Sequence, residues 1–509
     1  LQPPNILLIT SDQHHYSALG ATNPSIRTPA LDRLCREGTR FDRAYCPNPT
    51  CTPTRASILT GMYPSQHGAW TLGTKLFEDV PTVGDMLHEK DYFTGLAGKA
   101  HLQPLASRPG MTSIECPPTL RDLDFWRGFH GPWYGFEQVE TARMHGCEGW
   151  AGGHYAIWME EKGLKNWPDY FIAENNRCIT DEQRALEASR TWALPQEFHY
   201  TTWTGEKIRE QIRQAAGARR PFFIWASFHD PHPPYVVSEP WASRYNPEDM
   251  EPGQIAEGEH DRNPRHFQKT QERDRAWWAQ ESKDEGSYVH GGHSHLHDRA
   301  ELKQDMACYY GMVSFMDKEI GGILEELDRL GLAENTIVIF TSDHGHFLGQ
   351  HGLIAKAIHM YEDLLRIPFI IRWPGRVPAD AISSALQNLV DLAPTFLDAA
   401  GLEIPGLMTG LNQLPTWCGG APTRTWSITE NHHGRRRFHM RTYVNERYKI
   451  TVYRNGAEGE LFDLVADPNE LHNLWDEAAA TALKAQLLHE FMQATLQSEP
   501  ERMPRIAGA

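Results

Sequence analysis

Five short, nearly continuous apolar runs recur along the chain with polar or helical text between them: Asn5–Thr10, Tyr92–Ala97, Phe222–Phe228, Thr336–Ser342 and Pro368–Trp373. Strands that are apolar on both faces belong in a parallel sheet covered by helices on both sides. Their alternation with helical segments predicts an α/β fold, a large mostly parallel sheet flanked by helices. A helix is signalled over Pro29–Glu37, with Thr28 as cap, Pro29 in the first turn, Leu31, Leu34 and Cys35 on one face and Gly38 as stop. A longer one over Met306–Leu330 carries an apolar stripe that reads as plain core packing. Open parallel sheets bind ligands outside the carboxyl ends of their strands. The residues just after the runs are therefore the first place to look for chemistry.

Two stretches interrupt the pattern. Residues 105–200 are loop-rich and hold Trp126, Trp133, Trp150, Trp158, Trp167 and Trp192, which read equally well as an aromatic substrate wall or as core under long loops. Residues 239–300 are polar and end in His290, His293, His295 and His297, where interleaved Gly and Ser favour a lid or subunit contact over a second metal site. Beyond about residue 420 the signals turn antiparallel. Arg441–Tyr453 alternates, Asn455-Gly456 turns, Glu460–Leu464 returns, and a helix closes the chain over Glu477–Leu496. The expected division is a catalytic domain over 1–420 with those two insertions and a small C-terminal α+β subdomain over 421–509.

Composition narrows the partners. The chain has 509 residues, 40% apolar, enough for a core that needs no disulfide staple. A formal charge of -17 argues against nucleic acid or an anionic membrane, whose footprints are basic. No apolar stretch approaches a membrane span, and the first residues, LQPPNILLIT, lack a basic leader region, so a cytoplasmic location is the expectation. Arg435-Arg436-Arg437 reads as a solvated or interface charge run. The eight cysteines include no CxxC pair, whereas 26 histidines keep a metal or a phosphoryl- or sulfuryl-transfer enzyme in view.

The most specific local text is Cys51-Thr52-Pro53-Thr54-Arg55 followed by Leu59-Thr60-Gly61. It puts a potential nucleophile at a helix start, with Arg55 one turn on. Free N–H groups and the positive dipole end there suit a tetrahedral anion. They also lower a thiol pKa, so an ordinary catalytic cysteine is one alternative and an inert buried cysteine another.

This run resembles the C-x-P-x-R and L-T-G signature of the type I, formylglycine-dependent sulfatases of the alkaline phosphatase superfamily, close to their arylsulfatase and phosphonate monoester hydrolase branch. The resemblance continues in order along the chain. Asp12 stands after the first run, with Gln13 where many relatives have a second Asp. Gly98-Lys99-Ala100-His101-Leu102 is similar to the G-K-x-H-L element, and His229-Asp230-Pro231-His232-Pro233 to P-H-x-P. Ser342-Asp343-His344-Gly345 resembles the second metal pair. Lys356 matches the substrate-side lysine, and Glu460–Leu464, Asp467-Pro468 and Asn473-Leu474 resemble the family's ending.

What the resemblance implies is an alkaline-phosphatase-like fold and a sulfuric ester hydrolase acting on a small aryl or sugar sulfate. Cys51 would be oxidised to formylglycine by a maturation enzyme, and its hydrated aldehyde would be the nucleophile. One divalent metal, Ca²⁺ first and Mn²⁺ next, would be held by Asp12, Gln13, residue 51, Asp343 and His344. Arg55, Lys99 and Lys356 would stabilise the transition state. His229, Lys99 and Lys356 would hold substrate, His232 or Lys356 would protonate the leaving alcohol, and His101 would take the last proton. A homo-oligomer is expected. The Asp-Gln and Asp-His pairs lean toward a second reading, a phosphonate monoester or phosphodiester hydrolase using the same site. A third reading, a catalytically silent binder of sulfated ligands, fits the intact polar set less well.

Overall fold

Side chains of successive residues in the first strand enter different cores, Ile6 and Leu8 one, Leu7 and Ile9 the other. That is the period-two pattern of a sheet covered on both faces. The computed structural model describes residues 3–172, 185, 189–271, 298–356, 358–433, 438–503 and 506. In chain order the strands are β1 (Asn5–Ser11), β2 (Thr39–Phe41), β3 (Ala44–Tyr45), β4 (Phe93–Gly98), β5 (Gln138–Thr141), β6 (Phe222–Ser227), β7 (Thr336–Ser342), β8 (Arg366–Ile367), β9 (Phe369–Arg372), β10 (Ala381–Ser383), β11 (Gln387–Asn388), β12 (Ser427–His433), β13 (Phe438–Val444), β14 (Tyr448–Tyr453) and β15 (Gly459–Asp463). The helices that matter below are α1 (Pro29–Glu37), α2 (Cys51–Thr60), α3 (Tyr200–Ala218), α4 (Arg299–Arg329), α5 (Leu392–Ala399) and α6 (Thr481–Gln497).

The main sheet has eight strands in the order β10-β2-β9-β7-β1-β6-β4-β5, and β7, β1, β6, β4 and β5 all run parallel. Leu31 and Leu34 of α1, Ile208 and Ile212 of α3, and Ile320, Ile323, Leu324 and Leu327 of α4 cover one face. Ile58 and Leu59 of α2 and Leu392, Phe396 and Leu397 of α5 cover the other. Four of the five apolar runs are thus parallel central strands. The fifth, β9, pairs antiparallel with both β7 and β2, a direction that apolarity alone does not encode.

Strand ends are aligned: Ser11 faces Ser342, Thr10 faces Ser227, and Gly98 faces both Ser227 and Thr141. The residues that follow therefore emerge along one line at the carboxyl edge. Gly98, at φ 112°, is needed there, because an added Cβ would overlap the Ser227 carbonyl. Gly98→Ala is expected to destabilise the fold by about 3 kcal/mol or more, read as a lower urea midpoint. An unchanged midpoint contradicts this packing.

Several details depart from the sequence reading. The Thr28 side chain does not cap α1. The Asp317 carboxylate of α4 accepts from the backbone N–H groups of Ala30 and Leu31 at 3.0 and 2.8 Å instead. The stop at Gly38 is extended (φ -149°), and glycine is required because a Cβ would overlap the Ile371 carbonyl of β9. α4 begins at Arg299, seven residues before the apolar stripe suggests. Trp126, Trp133, Trp158, Trp167 and Trp192 are buried core, and of the six tryptophans only Trp150 is half-buried, so the segment builds little aromatic wall.

The C-terminal sheet is antiparallel, β12-β13-β14-β15, with β12 lacking any clear sequence signal. Leu487, Phe491 and Ala494 of α6 pack on Ile428, Tyr443, Ile450 and Leu461, whereas Leu488 faces outward. β12 lies against the loop that precedes α2: the Glu430 N–H donates to the Pro47 carbonyl and Asn48 donates to the Glu430 carbonyl. His290, His293, His295, His297 and Arg435-Arg436-Arg437 lie outside the described residues. Among those described, no helix is long and apolar enough to cross a membrane.

Candidate active site

Cys51 is the first residue of α2, whose ten residues are all buried. The preceding loop is fixed by Asn48, which accepts from the Thr50 backbone at 2.8 Å and whose carbonyl accepts from Thr54 Oγ1 at 2.6 Å. The helix ends at Gly61, left-handed at φ 64°, whose N–H donates to the Ser57 carbonyl. The signature is thus a short buried helix, capped at its end by the glycine of L-T-G.

Around the Cys51 sulfur three elements converge. Lys356 Nζ donates to Sγ at 3.0 Å, His344 Nε2 lies at 3.3 Å, and Asp12 Oδ1 at 3.6 Å. Asp12 and Gln13 follow β1, and Asp343 and His344 follow β7. The Gln13 N–H donates to Asp343 Oδ1 at 3.1 Å, locking the two loops together. Gln13 (φ 63°) and His101 (φ 52°) hold left-handed backbone conformations, strain of the kind concentrated at functional sites.

The cations are arranged in pairs with the acids. Arg55 Nε donates to Asp343 Oδ2 at 3.0 Å, while Nη1 donates to the Lys99 carbonyl and Ser227 Oγ at 2.7 and 2.6 Å. Lys99 Nζ bonds Asp12 Oδ2 and reaches His145 Nε2 at 2.6 Å. Burial alone would raise the Asp12 carboxyl, but Lys99, then His232, Arg55 and Lys356, hold it well below the ordinary carboxylate range. Burial and Asp12 likewise raise the Cys51 thiol, and Lys356 and Lys99 outweigh them, leaving it below its usual value.

Tautomers follow from the hydrogen bonds. His344 Nδ1 donates to the Gly345 carbonyl at 3.0 Å, leaving Nε2 as acceptor toward Cys51. His232 Nδ1 donates to the Pro233 carbonyl at 2.5 Å, and its Nε2 lies 3.1 Å from Lys356 Nζ. His229 Nε2 donates to the Ala142 carbonyl at 3.1 Å, and burial pushes its pKa down to about 3. His101 stands at the edge of the cluster, its ring 6.2 Å from that of His145. Arg143 Nη2 donates to its Nε2 at 2.9 Å, and burial, with Arg143 next, holds its pKa well below the usual value.

Asp12, Cys51, Asp343 and His344 offer ligand atoms all within 4.8 Å of one another. Both polar atoms of the Gln13 amide are buried without a hydrogen-bond partner in the same place. A buried amide with no partner is costly unless something binds it. Two carboxylates, an amide oxygen and the unprotonated Nε2 of His344, which also faces Cys51 and Lys356, fit one divalent cation. Two further groups of described residues have three ligand atoms close together: Asp12, His145 and His232, which share the cluster, and His130, Glu140 and His154. Both ring nitrogens of His154 are already hydrogen-bonded, to the Thr141 N–H and the Phe129 carbonyl, so that group is structural.

The structure thus brings Asp12, Gln13, Cys51, Arg55, Lys99, His232, Asp343, His344 and Lys356 into one cluster, with His101 and His229 at its edge. Sequence reasoning missed His145, whose ring stacks on His232 at 3.8 Å and whose Nδ1 donates to Glu148 Oε2 at 2.9 Å. Nothing in the irregular 105–200 text marks it. Ser227 was detectable as the one hydroxyl in the run FFIWASF.

The Sulfatase family profile matches residues 4–402, and the N-sulphoglucosamine sulphohydrolase C-terminal profile matches residues 349–497. The chain is 29% identical to the multifunctional alkaline phosphatase superfamily protein PehA of Trinickia caryophylli, over 94% of this chain and 92% of that protein. It is 28% identical to an arylsulfatase of Clostridium perfringens, over 92% of this chain and 90% of the relative. Among solved structures, a phosphonate monoester hydrolase from Silicibacter pomeroyi superposes with a TM-score of 0.77 at 22% identity, covering 98% of this chain and 96% of the other. A phosphonate monoester hydrolase of Agrobacterium radiobacter gives 0.76 at 23% identity, with 98% and 97% coverage. With the profile match spanning every strand of the main sheet and every residue of the cluster, the chain belongs to the sulfatase family of hydrolases.

Proposed function

We propose that the protein hydrolyses a small organic sulfate monoester, with residue 51 as formylglycine and one divalent cation at Asp12, Gln13, Asp343 and His344. The observation that carries this is the convergence of Lys356, His344 and Asp12 on the Cys51 sulfur at the start of a buried helix. The Sγ position marks where a hydroxyl of the hydrated aldehyde stands, and a second, geminal hydroxyl is what allows sulfate to be expelled without water attacking sulfur. A cation held by Asp12, Gln13, Asp343 and His344 would supply positive charge beside that hydroxyl.

The residues supply the rest. Lys356 Nζ and the α2 N-terminus stabilise charge on the equatorial oxygens, and Arg55 holds Asp343 in place. Because His232 Nε2 accepts from Lys356, the proton for the leaving alcohol starts on the Lys356 ammonium and passes directly or through His232. His101 Nε2 already accepts from Arg143, so the last proton, from the second hydroxyl, would return to the Lys356–His232 pair that gave one to the alcohol.

Dialysis against a chelator is expected to lower kcat/KM for 4-nitrophenyl sulfate by about 100-fold or more. Add-back of Ca²⁺, implied by the family, or of Mn²⁺, suited to the imidazole donor, should restore it, and the better ion identifies the resident metal. Full activity after exhaustive chelation contradicts the site. The Asp-Gln and Asp-His pairs favour a second reading, phosphonate monoester or phosphodiester hydrolysis by the same groups. Steady-state comparison of 4-nitrophenyl sulfate with 4-nitrophenyl phenylphosphonate decides it: the account expects the sulfate to have the higher kcat/KM, and the reverse order establishes the second reading.

A further inference from the structure

Residues 142–145 leave β5 in alternation. Ala142 and Met144 enter the aromatic core with Tyr155, Trp158 and Trp203, while Arg143 and His145 turn toward His101 and Lys99. Arg143 is 5% exposed, yet its one hydrogen bond is from Nη2 to His101 Nε2, and its Nε is buried without a partner. Among the described residues no carboxylate lies within ion-pair distance of it. Two acids that feel its charge, Glu115 and Glu148, are committed elsewhere. Glu115 accepts from the backbone N–H groups of His101 and Gln103 at 2.8 and 2.6 Å. Glu148 accepts from the His145 backbone and ring at 3.1 and 2.9 Å.

A guanidinium taken out of water without a counter-charge is unfavourable unless a ligand supplies one. On the sulfatase reading the sulfuryl oxygens would meet Lys356, the cation and the α2 N-terminus, so the reacting group does not need Arg143. Its buried, unpartnered Nε stands one hydrogen bond away from His101, at the edge of the cluster, where a second anionic group of the substrate would complete it. Resting on the sulfatase reading above, we propose that Arg143 is a substrate-binding residue for a second anionic group, so that the natural substrate is an organic sulfate whose alcohol part carries a carboxylate or another sulfate.

The test compares 3- and 4-carboxyphenyl sulfate with their neutral carbamoyl counterparts, on the metal-loaded wild type, Arg143→Gln and Arg143→Lys. The wild type is expected to favour at least one carboxylate over its carbamoyl partner in kcat/KM by about 10-fold or more, the size of a charge-assisted hydrogen bond. Arg143→Gln should erase that preference, lowering kcat/KM of the carboxylate ester about 10-fold more than that of its carbamoyl partner, and Arg143→Lys should keep part of it. Equal rates for charged and neutral esters in the wild type, or a preference that survives Arg143→Gln, overturn the proposal. If the wild type cleaves no sulfate at all, the sulfatase reading has failed separately. Calorimetric binding of 3-sulfobenzoate against 3-sulfobenzamide then decides the Arg143 question: preference for the dianion lost in Arg143→Gln supports it, and equal affinities overturn it.

Discussion

Replacing Cys51 with alanine is expected to lower kcat/KM for an aryl sulfate by about 10⁴-fold or more, equivalent to about 5.5 kcal/mol of barrier. The side chain is buried and touches Lys356, His344 and Asp12, so its loss removes the atom on which the cluster converges. Cys51→Ser separates the chemistry from the geometry. A serine hydroxyl occupies the same place but has no geminal partner to expel sulfate. The expected result is release of at most one equivalent of phenol per protein molecule, then arrest. Steady turnover by the serine variant contradicts the geminal mechanism.

Lys356→Ala is expected to lower kcat by about 10²–10³-fold, the usual cost of losing a charge aimed at the transition state. The loss should grow as the leaving alcohol becomes a worse leaving group, because the same ammonium faces His232 Nε2 and starts the proton. Stability should move the other way. Lys356 is 1% exposed, and among the described residues no carboxylate pairs with it, so removing its charge relieves a desolvation cost. A urea midpoint equal to or above wild type, with kcat lowered, is the expected pair of results. A loss independent of the leaving group would move Lys356 from proton donor to electrostatic support.

The parts legible in the sequence are those fixed by local chemistry. Apolar runs announced β1, β4, β6 and β7, and polar residues just after them announced Asp12, Lys99, His232 and Asp343, because a parallel sheet exposes its site only there. The direction of β9 was not legible, since apolarity carries no sense of direction. Nor was the cap of α1, supplied by Asp317 from another helix 289 residues past Thr28. His145, Glu148 and Arg143 escaped for a related reason. Their positions depend on alternation within a loop whose register is set by tertiary packing of Ala142 and Met144, and isolated polar residues in irregular text carry no spacing to read. The histidine surplus resolves in part: His14 and His67 are buried with both ring nitrogens hydrogen-bonded, which places them among packed rings.

The central claim, a formylglycine nucleophile at position 51, is met most directly by mass spectrometry of the peptide that contains it, taken from protein of measured specific activity. The account predicts a peptide about 18 Da lighter than the cysteine form, one oxygen replacing sulfur and two hydrogens, with the modified fraction rising in proportion to activity across preparations. Unmodified Cys51 throughout a fully active preparation would contradict it.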